Sequence, residues 1–459
     1  MYWERLKRAS AKNFLGQSYR PRQRRRGAFA ERMKDDPAQQ RLDRDLLVAS
    51  AALGMATTSL LFPPATILAA VSLPLSLFVF VPTFATAYRS LRQERRITNP
   101  VLVTTRLGVC VVMNFYGIAA LDAFLFSVAQ RWNGRSRQAW SQTLDTLFAE
   151  QPESEARHYL EQAVGQTTSM EQQAQASANR MAPFMLTAFV VTLPFYGANR
   201  AASFLMTGFG AHLQTLGPTT LHEAMRQATE QGIVVKNGRS LEMATLSNVL
   251  LLDAKLLLAQ ANKQALLNAL RQQLAAAQEV DTHAIKIIAV GVAQPWLTEA
   301  GVDEVIPPAE KTAVLAQLQA AGQRVCYVGD GLTEADIMAQ AHLSVSLSGL
   351  ATAAADAAQV ILPDGNLSTL QQFFAGAAHF QRQQALNLST PIWFDFVDIS
   401  TTVIAHLGLL YSTLFNYSGL LWRTWGAKRP FFPSGQTPEA AEQFSADQTR
   451  QLIESQSAS

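Results

Sequence analysis

The chain has 459 residues, with 38 basic and 35 acidic side chains. Charged residues make up only 16%, against about 25% in ordinary soluble domains, while apolar residues reach 48%. This mixture excludes a wholly soluble protein and a wholly lipid-buried one, and it predicts membrane spans joined to a sizeable soluble domain.

Charge is spread unevenly. Residues 1–44 hold 13 Lys/Arg against 5 Asp/Glu, a net of +8, so the rest of the chain carries −5. An arm with Arg22, Arg24, Arg25 and Arg26 has the charge to grip nucleic acid or anionic lipid. It equally suits a cytoplasmic flank under the positive-inside rule, and the membrane segment that follows at once favours this second reading. No apolar stretch precedes the arm, so no cleaved signal peptide is expected. The two cysteines, Cys110 and Cys326, form no CxxC, which leaves neither a disulfide framework nor a Cys-rich metal site.

From Leu46 to Tyr88 there are 43 residues without Asp, Glu, Lys or Arg, enough for two spans of about 20 residues. Pro63 and Pro64 suit the turn between them. Arg89, Arg92, Arg95 and Arg96 then place both ends of this hairpin on the cytoplasmic side. Residues 100–132 form a weaker pair, interrupted by Arg106 and Asp122, with a tip at Asn114–Gly117. Residues 133–180 are rich in Gln and Ala and predict a short helical cytoplasmic insert. Met181–Asn199 and Ala201–Leu221 give a third hairpin around Gly197–Arg200. Cys110 and Met113 stand three apart, where core packing explains them better than copper binding.

Residues 223–384 change character. Strands are predicted at Val249–Leu252, Lys286–Val290, Arg324–Val328, Leu343–Leu347 and Gln359–Leu362. Helices are predicted at 256–278, 308–321, 332–340 and 367–384. Such alternation implies a parallel sheet with crossover helices, a Rossmann-like α/β domain. Ala385–Val403 and Ile404–Trp422 make a fourth hairpin, ended by Arg423, Lys428 and Arg429. The fold class expected is a polytopic α-helical membrane protein of about eight spans with one soluble α/β domain, both termini cytoplasmic. In domain terms this gives a basic arm (1–44), four spans (45–132), the insert (133–180), two spans (181–222), the α/β domain (223–384), two spans (385–423) and a polar tail (424–459).

One motif carries chemistry. Val328-Gly329-Asp330-Gly331 follows a predicted strand and opens a helix, which puts a carboxylate at the carboxyl edge of a parallel sheet, where ligands bind in open α/β folds. An acid so placed can hold Mg²⁺ beside a phosphoryl group. Gly232-Ile233-Val234-Val235-Lys236-Asn237-Gly238-Arg239-Ser240-Leu241-Glu242 precedes the domain. Lys311 lies in Pro307-Pro308-Ala309-Glu310-Lys311, and Ala339-Gln340-Ala341-His342 comes after the Gly-Asp-Gly turn. Together these segments resemble the heavy-metal-transporting P-type ATPases, whose corresponding motifs read GILIKGGxxLE, VGDGINDAPAL and AQAD. The resemblance implies a haloacid-dehalogenase-like phosphorylation domain, with Asp253 at the position of the phosphorylated aspartate, Lys311 at that of the domain's lysine, and a bacterial inner membrane as location.

The departures from that pattern bear on function. The family's DKTGT is Asp253-Ala254-Lys255-Leu256-Leu257 here, so the groups that should cradle a phosphoryl group are missing. The TGD loop falls on Val290-Gly291-Val292. The Asn-Asp of the GDGxND motif becomes Thr333-Glu334; Asp330 and Glu334 are either candidates for sharing Mg²⁺ or parts of a solvated turn. Only 32 residues separate Asp253 from Lys286, too few for a nucleotide-binding domain, and no TGE occurs. The family's CPC falls on Phe209-Gly210-Ala211, which cannot select soft metals. Asp395 and Asp398 stand one helical turn apart inside or near a span, either as an intramembrane cation site, with His406 two turns on, or as a water-exposed span edge; the sequence favours the edge.

The resemblance and its departures together predict a degenerate P-type-ATPase-like membrane protein, a scaffold, regulator or assembly factor rather than a pump. It is expected to meet a membrane-protein partner, and neither nucleic acid nor nucleotide. The alternatives are a divergent ATP-driven metal transporter and a phosphatase using Asp253 as nucleophile.

Overall fold

The structure, a computed structural model, describes residues 37–62, 66–147, 169–206, 213–258, 260, 262–278, 280–347, 357–362, 366–426 and 431. Six helices come first: α1 (Pro37–Leu61), α2 (Thr66–Val79), α3 (Val81–Arg92), α4 (Asn99–Val112), α5 (Tyr116–Leu147) and α6 (Ser169–Ala201). A 3₁₀ turn at Ala202–Leu205 leads to α7 (Leu213–Glu230). The α/β domain contains β1 (Val234–Val235), α8 (Arg239–Leu246), β2 (Val249–Asp253), α9 (Ala254–Leu258), α10 (Lys263–Gln278), β3 (Lys286–Val290), α11 (Pro295–Glu299) and β4 (Glu304–Ile306). It continues through α12 (Lys311–Ala320), β5 (Val325–Gly329), α13 (Ala335–Gln340), β6 (Leu343–Ser346) and β7 (Val360–Ile361). Two helices close the chain, α14 (Leu367–Ile404) and α15 (Leu409–Gly426).

The sheet runs β1-β7-β6-β5-β2-β3-β4, parallel throughout except for antiparallel β1. All five predicted strands are present, and β1 and β4 are additional. The central strands are apolar on both faces because helices cover both. Leu250, Leu252, Cys326 and Val328 pack toward α8, α10 and α14, through Leu241, Leu270 and Phe373. Leu251, Val325 and Tyr327 pack on the other side against Leu315 of α12 and Ile337 of α13. The chain enters the domain through Gly232, whose φ of +79° suits a residue without a Cβ; the Ile233 amide bonds back to the Ala228 carbonyl at 2.9 Å and closes α7.

The helical part has an apolar interior around Phe80, Leu102, Leu107 and Leu216, but it also exposes apolar side chains and buries polar ones. Phe184, Phe195, Trp393, Phe396, Ile404 and Trp422 are exposed, whereas Arg106, Asp122, Asn387, Asp395, Asp398 and Asn416 are buried. Water would drive the opposite sorting; lipid demands this one, because polar groups there must find partners inside the protein. Among the described residues, one helical stretch, Gln172–Leu205, is long and apolar enough to cross a membrane by length and composition, and Ile67–Val79 with Val81–Arg92 qualifies only if counted as one broken span.

Several expected boundaries shift. The expected turn at Pro63-Pro64 lies outside the described residues. The second arm of the first hairpin is bent by 61° between α2 and α3, so its Arg-bearing end leaves the direction of the span. The tip of the second hairpin is present, with Asn114 at φ +58° between α4 and α5. Where described, the 133–180 insert is the continuation of α5 and the start of α6, and its middle, 148–168, lies outside the described residues. Where the tip of the third hairpin was expected, α6 is kinked at Gly197 (φ +74°) and runs on to Ala201, and residues 207–212 of the second arm lie outside the described residues. The predicted 256–278 helix is two, α9 and α10. No break in secondary structure marks 384/385: α14 runs unbroken through 38 residues, from the α/β domain into the bundle. Its first turn is capped by the Asn366 side chain, which accepts from the Ser368 amide at 3.0 Å.

Candidate functional site

The carboxyl ends of β2, β3 and β5 bring together Asp253, Gly291 and Gly329-Asp330. The register explains this. Leu252 pairs with both Ala289 and Val328, so the residues after each strand end emerge side by side. Asp253 closes its own turn, its Oδ1 accepting from the Lys255 amide at 2.9 Å. Asp330 does the same: Oδ1 accepts from the Leu332 amide at 3.0 Å and Oδ2 from the Thr333 hydroxyl at 2.9 Å. Ser346, at the end of β6, accepts from the Gly331 amide at 3.1 Å and pins the turn.

Lys311 is carried to this edge by the first turn of α12. Its Nζ donates to Glu334 Oε1, and Glu334 Oε2 accepts from the Asp330 amide at 3.1 Å. The side chains are 23% and 14% exposed. Glu334 therefore does not stand beside Asp330 as a second free carboxylate ready to share a cation; a lysine neutralises it. The sequence proposed Lys311 and Glu334 separately, and only the fold pairs them. Among the described residues, no group of three or more His, Cys, Asp and Glu is arranged to hold a metal.

Two residues of the Gly-Asp-Gly segment to which the sequence gave no role of their own complete the site. Tyr327 lies beneath Lys311, 6.0 Å from ammonium to ring centre. Burial first, and then the neighbouring Glu334 and Asp253 carboxylates, push its phenol upward, so it stays neutral. Gly329 leaves room for Glu334: a Cβ there would collide with Glu334 Oε2 and come within 2.8 Å of the Tyr327 ring. At Gly291 a Cβ would meet that of Ala254 at 2.8 Å, so the loop after β3 lies directly on the start of α9. Leu257, two residues after Lys255, is wholly buried in the core. Cys326 is sealed inside the sheet, where burial raises its thiol far from reactivity.

The bundle holds the second set of singled-out residues. Asp395 and Asp398 are both fully buried, which corrects the reading of Asp395 as a water-exposed span edge. The reason is the course of α14, which runs unbroken past both residues and turns them to its inner face. Asp398 Oδ2 accepts from Asn416 Nδ2 of α15 at 2.9 Å. His406 does not join them. It sits in the turn after α14 with φ +55°, its ring 6.1 Å from that of Tyr196. Arg106 and Asp122, expected as mere interruptions, are a buried ion pair at 2.6 Å, with Tyr417 of α15 donating to the other Asp122 oxygen at 2.9 Å. Cys110 is buried and Met113 exposed, so they share no site. Phe209-Gly210-Ala211 lies outside the described residues.

Comparison with known proteins gives a consistent result. The chain is 30% identical over 109 residues to a probable copper-transporting ATPase of Synechococcus elongatus. It is 31% identical over 121 residues to a copper-exporting P-type ATPase of Staphylococcus aureus. The fold superposes on a zinc-transporting PIB-type ATPase with a TM-score of 0.58, over 85% of this chain and 99% of the other, at 13% identity. This protein is related to the heavy-metal-transporting P-type ATPases. The aligned sequence covers 24% and 26% of this chain but only 14% and 15% of those two relatives, so most of their length has no counterpart in the match. A second structure of a zinc-transporting PIB-type ATPase, in another state, gives a TM-score of 0.56 at the same coverage and identity. No family model matches the chain. The resemblance read from the Gly-Asp-Gly turn and its flanking segments thus extends to the architecture: a helical bundle, two helices running on into the α/β domain, and that domain's mixed sheet. It also supports a membrane location.

Proposed function

We propose that this protein is a P-type-ATPase-like membrane protein that does not form an aspartyl-phosphate and acts by binding, as a scaffold, regulator or assembly factor for another membrane protein. The observation that carries this is the Lys311–Glu334 pair. A phosphoryl group needs a cation with charge to spare and an open Mg²⁺ position. Here the lysine charge is already neutralised by a protein carboxylate. The Asp253 and Asp330 carboxylates each hold their own turn, and Glu334, the further acid at this edge, is held by Lys311 rather than left free for Mg²⁺. Ala254, Leu256 and Leu257 supply no donor side chains where the family has Lys, Gly and Thr.

In this reading the bundle makes about eight crossings of a bacterial inner membrane with both termini cytoplasmic. The exposed apolar residues of α6, α14 and α15 and the Arg-rich segment after α3 support it. Purified protein in lipid nanodiscs, given γ-phosphate-labelled ATP with copper or zinc, is expected to carry no acid-stable, hydroxylamine-sensitive label. It is also expected to release no phosphate from a generic phosphoester with Mg²⁺. A label would establish instead a divergent ATP-driven metal transporter, and phosphatase turnover lost in Asp253→Asn a haloacid-dehalogenase-type hydrolase.

A further inference from the structure

The carboxyl edge of the sheet exposes side chains of two kinds. Leu258 at the end of α9, Val292 after β3 and Leu332 after β5 are 61%, 75% and 42% exposed. β2 lies between β3 and β5 in register, and the loop after β3 rests on α9, so all three apolar residues crown one end of the sheet. The acids Asp253, Glu310, Asp330 and Asp336 lie at or just past the ends of β2, β4 and β5. Lys311 is taken up by Glu334. Among the described residues the opposing charges here are Lys255 and Lys263, the latter 5.4 Å from the Trp296 ring centre. An apolar centre with an acidic rim has the make-up of a protein-binding face. Lipid does not reach it. α14 begins beyond the end of β7 and runs back along the sheet, with Phe373 and Phe380 in the core, until Asn387 meets Thr220 of α7. The 20 positions from Leu367 to Asn387 set this edge about 30 Å from that contact, on the far side of the domain from the bundle.

The chain itself holds a segment of matching chemistry. Residues 1–36, outside the described residues, carry 11 Lys/Arg and 4 Asp/Glu. Trp3, Leu6, Phe14, Leu15, Tyr19 and Phe29 are interleaved with these charges. The segment 223–384 has the opposite balance, 10 Lys/Arg and 15 Asp/Glu. The arm joins α1 at Pro37, and Gln39 donates to Gln138 of α5 at 3.3 Å. Two residues on, Trp140 stacks on His222, which is two residues past Thr220 on α7. The arm therefore leaves from the base of the α/β domain. Fully extended, its 36 residues reach up to about 120 Å. About a third of the arm covers the distance to the carboxyl edge, and the remainder is available to bind there.

We propose that residues 1–36 fold back and dock on this carboxyl edge, with aromatic and leucine side chains against Leu258, Val292 and Leu332 and arginines against the acidic rim. The docked arm covers a face that a partner protein would otherwise reach. The contact is non-covalent, and it stands whether or not Asp253 accepts a phosphoryl group.

The test replaces Val292 with photoreactive p-benzoylphenylalanine in the full chain, one copy per nanodisc. Illumination is expected to join it to a peptide from residues 1–36 of the same chain, identified by mass spectrometry. The same group in place of Leu246, which precedes β2 at the opposite edge, is expected to give no such adduct. Arg24→Glu/Arg25→Glu/Arg26→Glu is expected to lower the yield about tenfold, as three exposed ion pairs are lost. Lysine at the same three positions is expected to retain it, which separates loss of charge from loss of fold. The adduct is expected both in phosphatidylcholine nanodiscs and in nanodiscs containing anionic phosphatidylglycerol. An adduct seen only in phosphatidylcholine assigns the arm to anionic lipid and overturns the proposal. So does the absence of an adduct with residues 1–36, an equal yield from position 246, or a yield that the charge reversal leaves unchanged.

Discussion

Replacing Glu334 with Gln removes the charge that neutralises Lys311 but keeps an oxygen for the Asp330 amide. The size of the effect follows from burial. Breaking a fully buried ion pair costs about 3–5 kcal/mol, because the partner is stranded. An exposed pair is worth about 0–1 kcal/mol. With Lys311 23% and Glu334 14% exposed, the lysine can turn toward water, and the cost falls between these limits, at about 1–2 kcal/mol. A loss of that size multiplies the open population by roughly 5–30-fold. Hydrogen exchange on the full chain reads it directly, as quicker exchange of the β5 and β2 amides, which join in the sheet beneath the site. Glu334→Asp is expected to act the same way, since the shorter side chain cannot reach Lys311 and the Asp330 amide together. Exchange unchanged in both variants would refute the idea that this pair organises the strand ends.

The buried triad in the bundle should behave as one unit. Arg106→Leu leaves Asp122 stranded and is expected to cost about 3–5 kcal/mol, most of it recovered in Arg106→Leu/Asp122→Leu, as measured by detergent-induced unfolding. Tyr417→Phe removes one bond to a charged group and should cost about 1.5–3 kcal/mol in the same assay. Phe431 is 3% exposed, edge-on to Phe380, and its amide donates to Gln227 Oε1 at 2.6 Å. Phe431→Ala should therefore make the chain after Arg423 cleavable by limited proteolysis while the sheet stays protected. His342 is held below its ordinary value by burial and then by Arg324. The unfolded chain thus takes the proton first, and stability is lost as pH falls below about 6.5. His342→Gln should flatten that part of a pH–stability curve.

Much of the α/β domain was legible because its signals are local. The apolar runs at 249–252 and 286–290, closed by turn residues, define strands almost to the residue. The Gly-Asp-Gly turn fixes which sheet edge bears the site. β1 and β4, of two and three residues, went unseen, whereas β7, equally short, was read within the segment Gln359–Leu362. The bundle was read less well. A count of uncharged residues measures how much chain lipid can hold, but not where a helix bends. The break at Phe80 and the unbroken course of α14 through residue 384 follow from packing that composition does not encode. The buried polar stripe of α14 at 384, 387, 395, 398 and 402 was present in the spacing, yet spacing alone cannot tell an inner face from an outer one.

The sequence by itself determined the resemblance to heavy-metal P-type ATPases, the strand ends that bear Asp253 and Asp330, and the missing donors after Asp253. These follow from residue identity and short-range order. The tertiary structure decided that Glu334 answers Lys311 across 23 positions, that Arg106 meets Asp122 and Tyr417, and that Asp395 and Asp398 turn away from lipid. Each of those is a choice of partner for a charge, and a charge selects its partner by distance in space, which the order of residues along a chain does not fix.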